Sequence, residues 1–527
     1  MKLKNGCNAA WYELNISSAD DCVAPCCYYA GAKDPWSNDA LSVEDYWNSP
    51  NMQTVRRINS EPESELSAGC ANCYYFRYKG ESGSYFPDFL TPQEDISPIQ
   101  KSNWLAAIDD YRAGRTVLRS RPLRYYVNFG FACNLYCTMC HQVPRRKTLK
   151  RQVSSDVLLK WKESMKGALD ITVIGGEPFV MAEAVSFIKA VIDEPELEQV
   201  QLTICTNGTM HHKYMDLLSR KRKLQLTVSL DTIGAEFEKI RIGASWKAIE
   251  RHILEFVETG KRLGYSWKLQ TPCLVLKSNI CRLVDFVDWA IEHGAMPGFY
   301  DFINARGIEK TFEEENLIAH PYLVEQVPDW ESYFLEAVAR LRGNGLIGAA
   351  SQLDSLRGAI QERLGRWKSG MTSVDRLVQI TSGAEIYNKK GKTLFAALQT
   401  NIYGTSAGAE PVSVSEDGLL FRPTHLNDHL STQYIDIPRS SAAKEKWIRV
   451  HCVWPGNGSN GACKLYLQDD KFNTLECAES GASEATDLEF VRHFQLPVET
   501  TKVRIVMTAR SMEPVYAPKE VLIERLG

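Results

Sequence analysis

Cys133-Asn134-Leu135-Tyr136-Cys137-Thr138-Met139-Cys140 sets three thiols at x3 and x2 spacing just past an apolar run. Thiols this close can share one soft metal centre but leave it one ligand short. A structural zinc site takes four closed ligands, usually from paired Cys-x2-Cys knuckles. A 4Fe–4S cluster held by three cysteines keeps one iron open to a non-protein ligand, which makes such a site chemical rather than structural. Three buried or free thiols are the bland alternative, and the surrounding chain weighs against it.

Outward from the cysteines, residues 120–300 alternate short β-rich runs with helix-like stretches, the pattern of parallel βα units. Tyr125–Phe129 reads as a strand with the cysteine loop after its carboxyl end. Ile171–Ile174 runs into Gly175-Gly176-Glu177-Pro178, Leu202–Cys205 into Thr206-Asn207-Gly208, and Leu224–Val228 into Ser229-Leu230-Asp231. Tyr265–Leu276 and Gly298–Ile303 complete six strands. Asp156–Gly167 and Trp246–Gly260 carry apolar residues at helical spacing and read as helices between them. In parallel α/β architectures ligands sit at the carboxyl ends of strands, and each polar motif falls at such an end.

Cys-x3-Cys-x2-Cys followed one βα unit later by Gly-Gly-Glu-Pro resembles the radical S-adenosylmethionine (SAM) superfamily over residues 120–305. The resemblance implies a partial (β/α)6 barrel with Cys133, Cys137 and Cys140 on the catalytic 4Fe–4S cluster. It implies that Met139 touches adenine, that Gly175, Gly176, Glu177 and Pro178 receive the SAM amino group, and that Ser229, Asp231 and Arg241 contact ribose or carboxylate. The chemistry implied is reductive cleavage of SAM to a 5′-deoxyadenosyl radical that abstracts a substrate hydrogen. Ser229 and Asp231 also fit an ordinary helix cap, Arg241 a solvated arginine, and Asn207-Gly208 a plain turn.

Residues 1–75 hold Cys7, Cys22, Cys26, Cys27, Cys70 and Cys73. Trp11–Ile16 alternates like a strand, Cys26 ends a tight return, and Leu41–Asp45 opens a helix with Ser42 and Asp45 as a capping box. This layout resembles the SPASM and twitch auxiliary-cluster domains of radical SAM enzymes. It departs from them in preceding the barrel and in carrying Asp21 where glycine is usual. The resemblance implies a small N-terminal domain with a second 4Fe–4S cluster on Cys7, Cys26, Cys70 and Cys73. Zinc on the same four cysteines is the alternative.

The remaining chain reads as a connector over 76–119 with a helix at Trp104–Ala113, a helical extension and linker over 306–410, and an antiparallel β-sandwich of jelly-roll type over 411–527. A net charge of −4 on 527 residues makes no electrostatic case for nucleic acid or an anionic membrane. No apolar stretch is long enough to span a bilayer. Fifteen cysteines at ligand spacings, after a start without an apolar signal core, suit a reducing cytoplasm.

The expected activity is radical SAM chemistry on a peptide or protein, with a carbohydrate or glycan-linked substrate as the alternative. A low-potential electron donor such as flavodoxin or ferredoxin is the implied partner. The reading from another class is a non-catalytic metal-binding protein whose sandwich recruits a partner.

Overall fold

The computed structural model describes residues 7–17, 22–27, 29, 31–36, 42–60, 70, 91, 95–302 and 308–370; beyond 373 it describes Thr500 and the strand segments. The chain divides into two compact units, Met1–Ile318 with Leu323–Ala359, and Ala319–Tyr322 with Ile360–Gly527.

The first unit is built on one nine-stranded sheet. Its strands are β1 (Glu13–Ser17), β2 (Cys22–Ala24), β3 (Asp34–Pro35), β4 (Arg124–Asn128), β5 (Asp170–Ile174), β6 (Gln201–Thr206), β7 (Leu224–Val228), β8 (Lys268–Leu274) and β9 (Met296–Tyr300). Their order is β9-β8-β7-β6-β5-β4-β1-β2-β3. All six expected barrel strands, β4 to β9, are present and parallel.

Period-2 alternation gives this sheet two chemically distinct faces. Tyr125, Val127, Ile171, Val173, Leu202, Ile204, Leu226 and Val228 are fully buried beneath helices, as the Phe129–Phe187 and Phe299–Phe286 ring contacts at 5.5 and 6.1 Å record. Those partners sit on helices α1 (Ala182–Asp193) and α3 (Leu283–Glu292), with α2 (Trp246–Leu263) between them in sequence. The other face is polar. Arg124 donates to Thr172 at 3.1 Å, Thr203 to Asp170 at 2.6 Å, and Gln225 to Gln270 at 3.0 Å, so one hydrogen-bonded layer runs across the barrel interior.

The N-terminal segment departs from the expectation of a separate small domain. β1 pairs in parallel with β4, Glu13 opposite Arg124 and Ser17 opposite Asn128, and so becomes a seventh parallel strand of the barrel sheet. β2 and β3 continue the sheet antiparallel. The physical reason is the edge of β4, whose backbone groups need partners. Leu14 and Ile16 are completely buried, worth roughly 1.5–3 kcal/mol each. Glu13 joins the polar face, 3.2 Å from the Arg124 guanidinium. The Ser42–Asp45 capping box forms as expected and starts the helix Val43–Trp47. That helix docks through Trp47 Nε1, which donates to the Ser120 carbonyl at 2.8 Å.

Three helices differ in extent from their expected bounds. The connector helix spans Pro98–Arg112 because Ser97 and Gln100 close a capping box with Pro98 at the first turn. Asp156–Gly167 is two short helices, Ser155–Leu159 and Lys162–Met165, split at buried Trp161, which packs on Trp36 and Tyr46. The helix starting at Trp246 runs to Leu263 and stops at left-handed Gly264.

Helices Glu309–Glu315, Trp330–Gly343 and Ile347–Gly370 follow β9. The second unit then begins well before the expected residue 411. Val374–Thr381, inside the stretch expected to be linker, is a strand antiparallel to Glu520–Leu526. With Lys446–Trp454 and Leu488–Leu496 it makes a four-stranded sheet. Lys502–Ala509 anchors a second sheet between Cys463–Asp469 and His429–Ser431. Every pairing in these sheets is antiparallel. No helix among the described residues is long and apolar enough to cross a membrane.

Candidate metal centre

The three cysteines lie on the loop after β4, and that loop is fastened to the loop after β5. Phe129 N donates to Ile174 O at 3.0 Å, Gly176 N to Gly130 O at 2.8 Å, and Glu177 N to Ala132 O at 2.8 Å, extending the parallel ladder past both strands. This approach explains the glycines. A Cβ on Gly176 would overlap the carbonyl oxygens of Ala132 and Phe131, the latter at 2.6 Å, and one on Gly175 would meet Gly130 O at 2.7 Å. Gly175 also holds φ +155°, a conformation L side chains rarely adopt.

A second fastening holds the far side of the loop. Tyr136–Cys137 pairs antiparallel with Arg241–Ile242, and Thr138 N donates to Ile240 O at 2.9 Å. Cys133, Cys137 and Cys140 are all half-buried, and each sulfur has an N–H donor beside it. Asn207 Nδ2 stands 3.6 Å from Cys133 Sγ, Arg241 Nη1 3.8 Å from Cys137 Sγ, and Arg146 Nη2 3.9 Å from Cys140 Sγ. The Leu135 amide adds a second donor to Cys133 at 3.5 Å. Burial pushes the Cys133 thiol up, and Cys137 up to about 11, so metal loading must displace protons. Three soft donors, each with an N–H aimed at sulfur, fit a three-cysteine iron–sulfur cluster, whose thiolates are stabilised by such hydrogen bonds.

Glu177 of the Gly-Gly-Glu-Pro turn is completely buried and already engaged. It accepts from Thr206 Oγ1 at 2.8 Å, from Asn207 N at 2.7 Å and from Phe179 N at 3.2 Å. Burial outweighs those bonds and raises its carboxyl to about 7. In this structure it ties the β5 loop to the β6 loop and thereby sets Asn207, which also donates to Asn134 Oδ1 at 3.0 Å. Pro178 opens the short turn Pro178–Val180 that follows.

Asp231 and Arg241, expected to face SAM, face each other. Their ion pair measures 2.7 Å, with both side chains almost wholly buried. Asp231 adopts φ +66° and accepts from Leu274 N at 3.0 Å. Ser229 stays half-buried at the end of β7, its amide bonded to Thr206 O. The Met139 side chain packs with Ile240, Leu276, Phe302 and Ile308 as an apolar wall beside the cysteines.

Of the N-terminal set, Cys7, Cys26 and Cys70 are buried, and Cys73 lies outside the described residues. Among the described residues, Cys133, Cys137 and Cys140 included, no three His, Cys, Asp or Glu side chains converge closely enough to hold a single metal ion. Two groups beside the sulfurs lie outside the expected ligand and SAM-contact set. Asn207 reads as a turn, with a contact to SAM as the lesser alternative, and Arg146 sits in a basic stretch, Arg145-Arg146-Lys147, with no local sign of a sulfur partner.

Fold and site define an α/β protein with three thiols on a loop at the carboxyl end of a parallel sheet. Residues 127–290 match the family model of the radical SAM superfamily. Over 174 residues the chain is 28% identical to a probable GTP 3′,8-cyclase of Methanococcus maripaludis, covering 32% of this chain and 56% of that protein. It is 27% identical over 237 residues to molybdenum cofactor biosynthesis protein 1 of Drosophila melanogaster, covering 44% of this chain and 38% of the relative. The chain thus spans about half the length of the curated relatives it matches. Among solved structures, Streptococcus suis SuiB bound to precursor peptide SuiA aligns with TM-score 0.33 and 19% identity, over 44% of this chain and 51% of that one.

Proposed function

We propose that the protein binds a 4Fe–4S cluster through Cys133, Cys137 and Cys140, cleaves SAM reductively, and abstracts hydrogen from a substrate held against the polar barrel face. The observation that carries this reading is the set of three thiols, each with its own N–H donor, on the loop after β4. When bound, the cluster supplies one electron and SAM the 5′-deoxyadenosyl radical that takes the hydrogen. Asn207, Arg241 and Arg146 orient and stabilise the thiolates. The wall around Met139 excludes water from their flank. Contacts from Ser229 and from the turn Gly175–Pro178 to SAM belong to the same proposal, as does an auxiliary cluster on Cys7, Cys26, Cys70 and Cys73.

For the substrate we propose a peptide or protein group, on the strength of the N-terminal cysteine layout. The names of the curated relatives favour a second reading, a nucleotide. Arg124, on the polar face, offers a triphosphate no spare charge. The Arg124 guanidinium lies between Glu13 and Asp170, 3.2 Å from each, so its charge is already compensated on the polar face. The implied electron donor is a flavodoxin or ferredoxin.

The test is anaerobic reconstitution with iron and sulfide, followed by an assay of 5′-deoxyadenosine with SAM and dithionite. Wild type should form deoxyadenosine and Cys140→Ala should not. Wild-type protein without iron or deoxyadenosine would overturn the proposal and favour a non-catalytic binding protein.

A further inference from the structure

Two guanidinium groups reach the cysteines, but they differ in charge balance. Arg241 is compensated, because Asp231 sits 2.7 Å away on its other side. Arg146 places Nη2 3.9 Å from Cys140 Sγ and donates through Nη1 to the Leu135 carbonyl, while its buried Nε has no hydrogen-bond partner. Its flank is the Tyr136 ring, 5.6 Å from the guanidinium carbon, not a carboxylate. Among the described residues no carboxylate pairs with the half-buried Arg146, which therefore brings its positive charge to the centre.

We infer that Arg146 sets the reduction potential of the iron–sulfur centre, an inference that rests on the function proposed above. One-electron reduction adds a negative charge to the cluster. A fixed cation a few ångströms from a ligand sulfur stabilises the reduced state and raises the potential. Arg241 supplies a hydrogen bond to sulfur with its charge cancelled locally, so the two arginines have separate roles. Arg146 touches no reacting atom; it acts through the thiolates.

The experiment uses full-length reconstituted protein, wild type beside Arg146→Gln and Arg146→Lys, with iron counted in each. The ratio of reduced to oxidised cluster is read by electron paramagnetic resonance at fixed poise with titanium(III) citrate, without SAM. The Gln variant should show a ratio about tenfold lower, a shift of about 59 mV for a one-electron couple. The Lys variant should stay within about threefold of wild type. Full iron loading with an unshifted ratio in Gln, or equal shifts in Gln and Lys, would overturn the inference alone. Loss of iron confined to Gln would also overturn it, by making Arg146 an assembly group. Wild type that takes up no iron would instead sink the proposed function, and the inference with it.

Discussion

Asp231 stands 2.7 Å from Arg241, and the same guanidinium reaches Cys137 Sγ at 3.8 Å, so one buried carboxylate positions a donor to a metal-ligand sulfur. Asp231→Asn keeps the left-handed backbone tolerable while removing the charge. Leaving Arg241 unpaired at that depth should cost about 3–5 kcal/mol. Denaturant unfolding of the variant should report that loss, together with reduced iron uptake. An unchanged midpoint with full iron would mean the pair is dispensable.

Gly176→Ala tests the fastening of the two loops. The new Cβ meets backbone carbonyls on the partner loop, which cannot rotate away. A cost of at least about 1–3 kcal/mol is expected, with the cysteine loop displaced and cluster iron lost. Gly343→Ala is the control. Its Cβ meets nothing within 4 Å at a helix end, and it should be neutral or slightly stabilising.

Glu177 gives stability a pH dependence of predictable sign. Its carboxyl rises from 4.5 to about 7 on folding, so the native state holds a proton that the unfolded chain releases. Its contribution is fully present below pH 4.5 and is lost as pH rises through 7. Over that window the slope is up to about 1.4 kcal/mol per pH unit. Unfolding free energies between pH 4.5 and 8 should therefore fall less steeply in Glu177→Gln than in wild type. Glu13, raised to about 7 by burial in the same way, keeps some slope in the variant. Parallel profiles would refute the assignment.

Leu14→Ala asks whether β1 is part of the barrel. The side chain is completely buried, and its truncation should cost ~2–5 kcal/mol. Because β1 shares a ladder with β4, hydrogen exchange should quicken in Glu13–Ser17 and Arg124–Asn128 together. Faster exchange confined to β1 would return the segment to independent status.

The cysteine spacing and all six barrel strands were legible because each is a local pattern of a few residues. Long-range pairing was not. Nothing near Glu13 announces Arg124, 111 positions on, and so the N-terminal strand read as a separate domain. Glu177 read as an open acid because its partners, Thr206 and Asn207, arrive from the next strand. Arg241 likewise reads as a partner for the SAM carboxylate or as a solvated arginine, since nothing local pairs it with Asp231. Arg146 sits in a basic stretch with no local sign of a sulfur partner. Val374–Thr381 alternates like a strand but sits between a long helix and a turn-rich stretch. Only its pairing with Glu520–Leu526 separates it from linker.

The barrel strands carry two independent inheritances on one ribbon. Residues such as Val127, Val173 and Ile204 answer to the helices, while their neighbours Tyr126, Thr172 and Thr203 answer to whatever enters the barrel. Exchanging the second set leaves the first intact. A lineage could thus change its chemistry of recognition step by step without risking collapse, and a protein engineer could do the same by altering every other position.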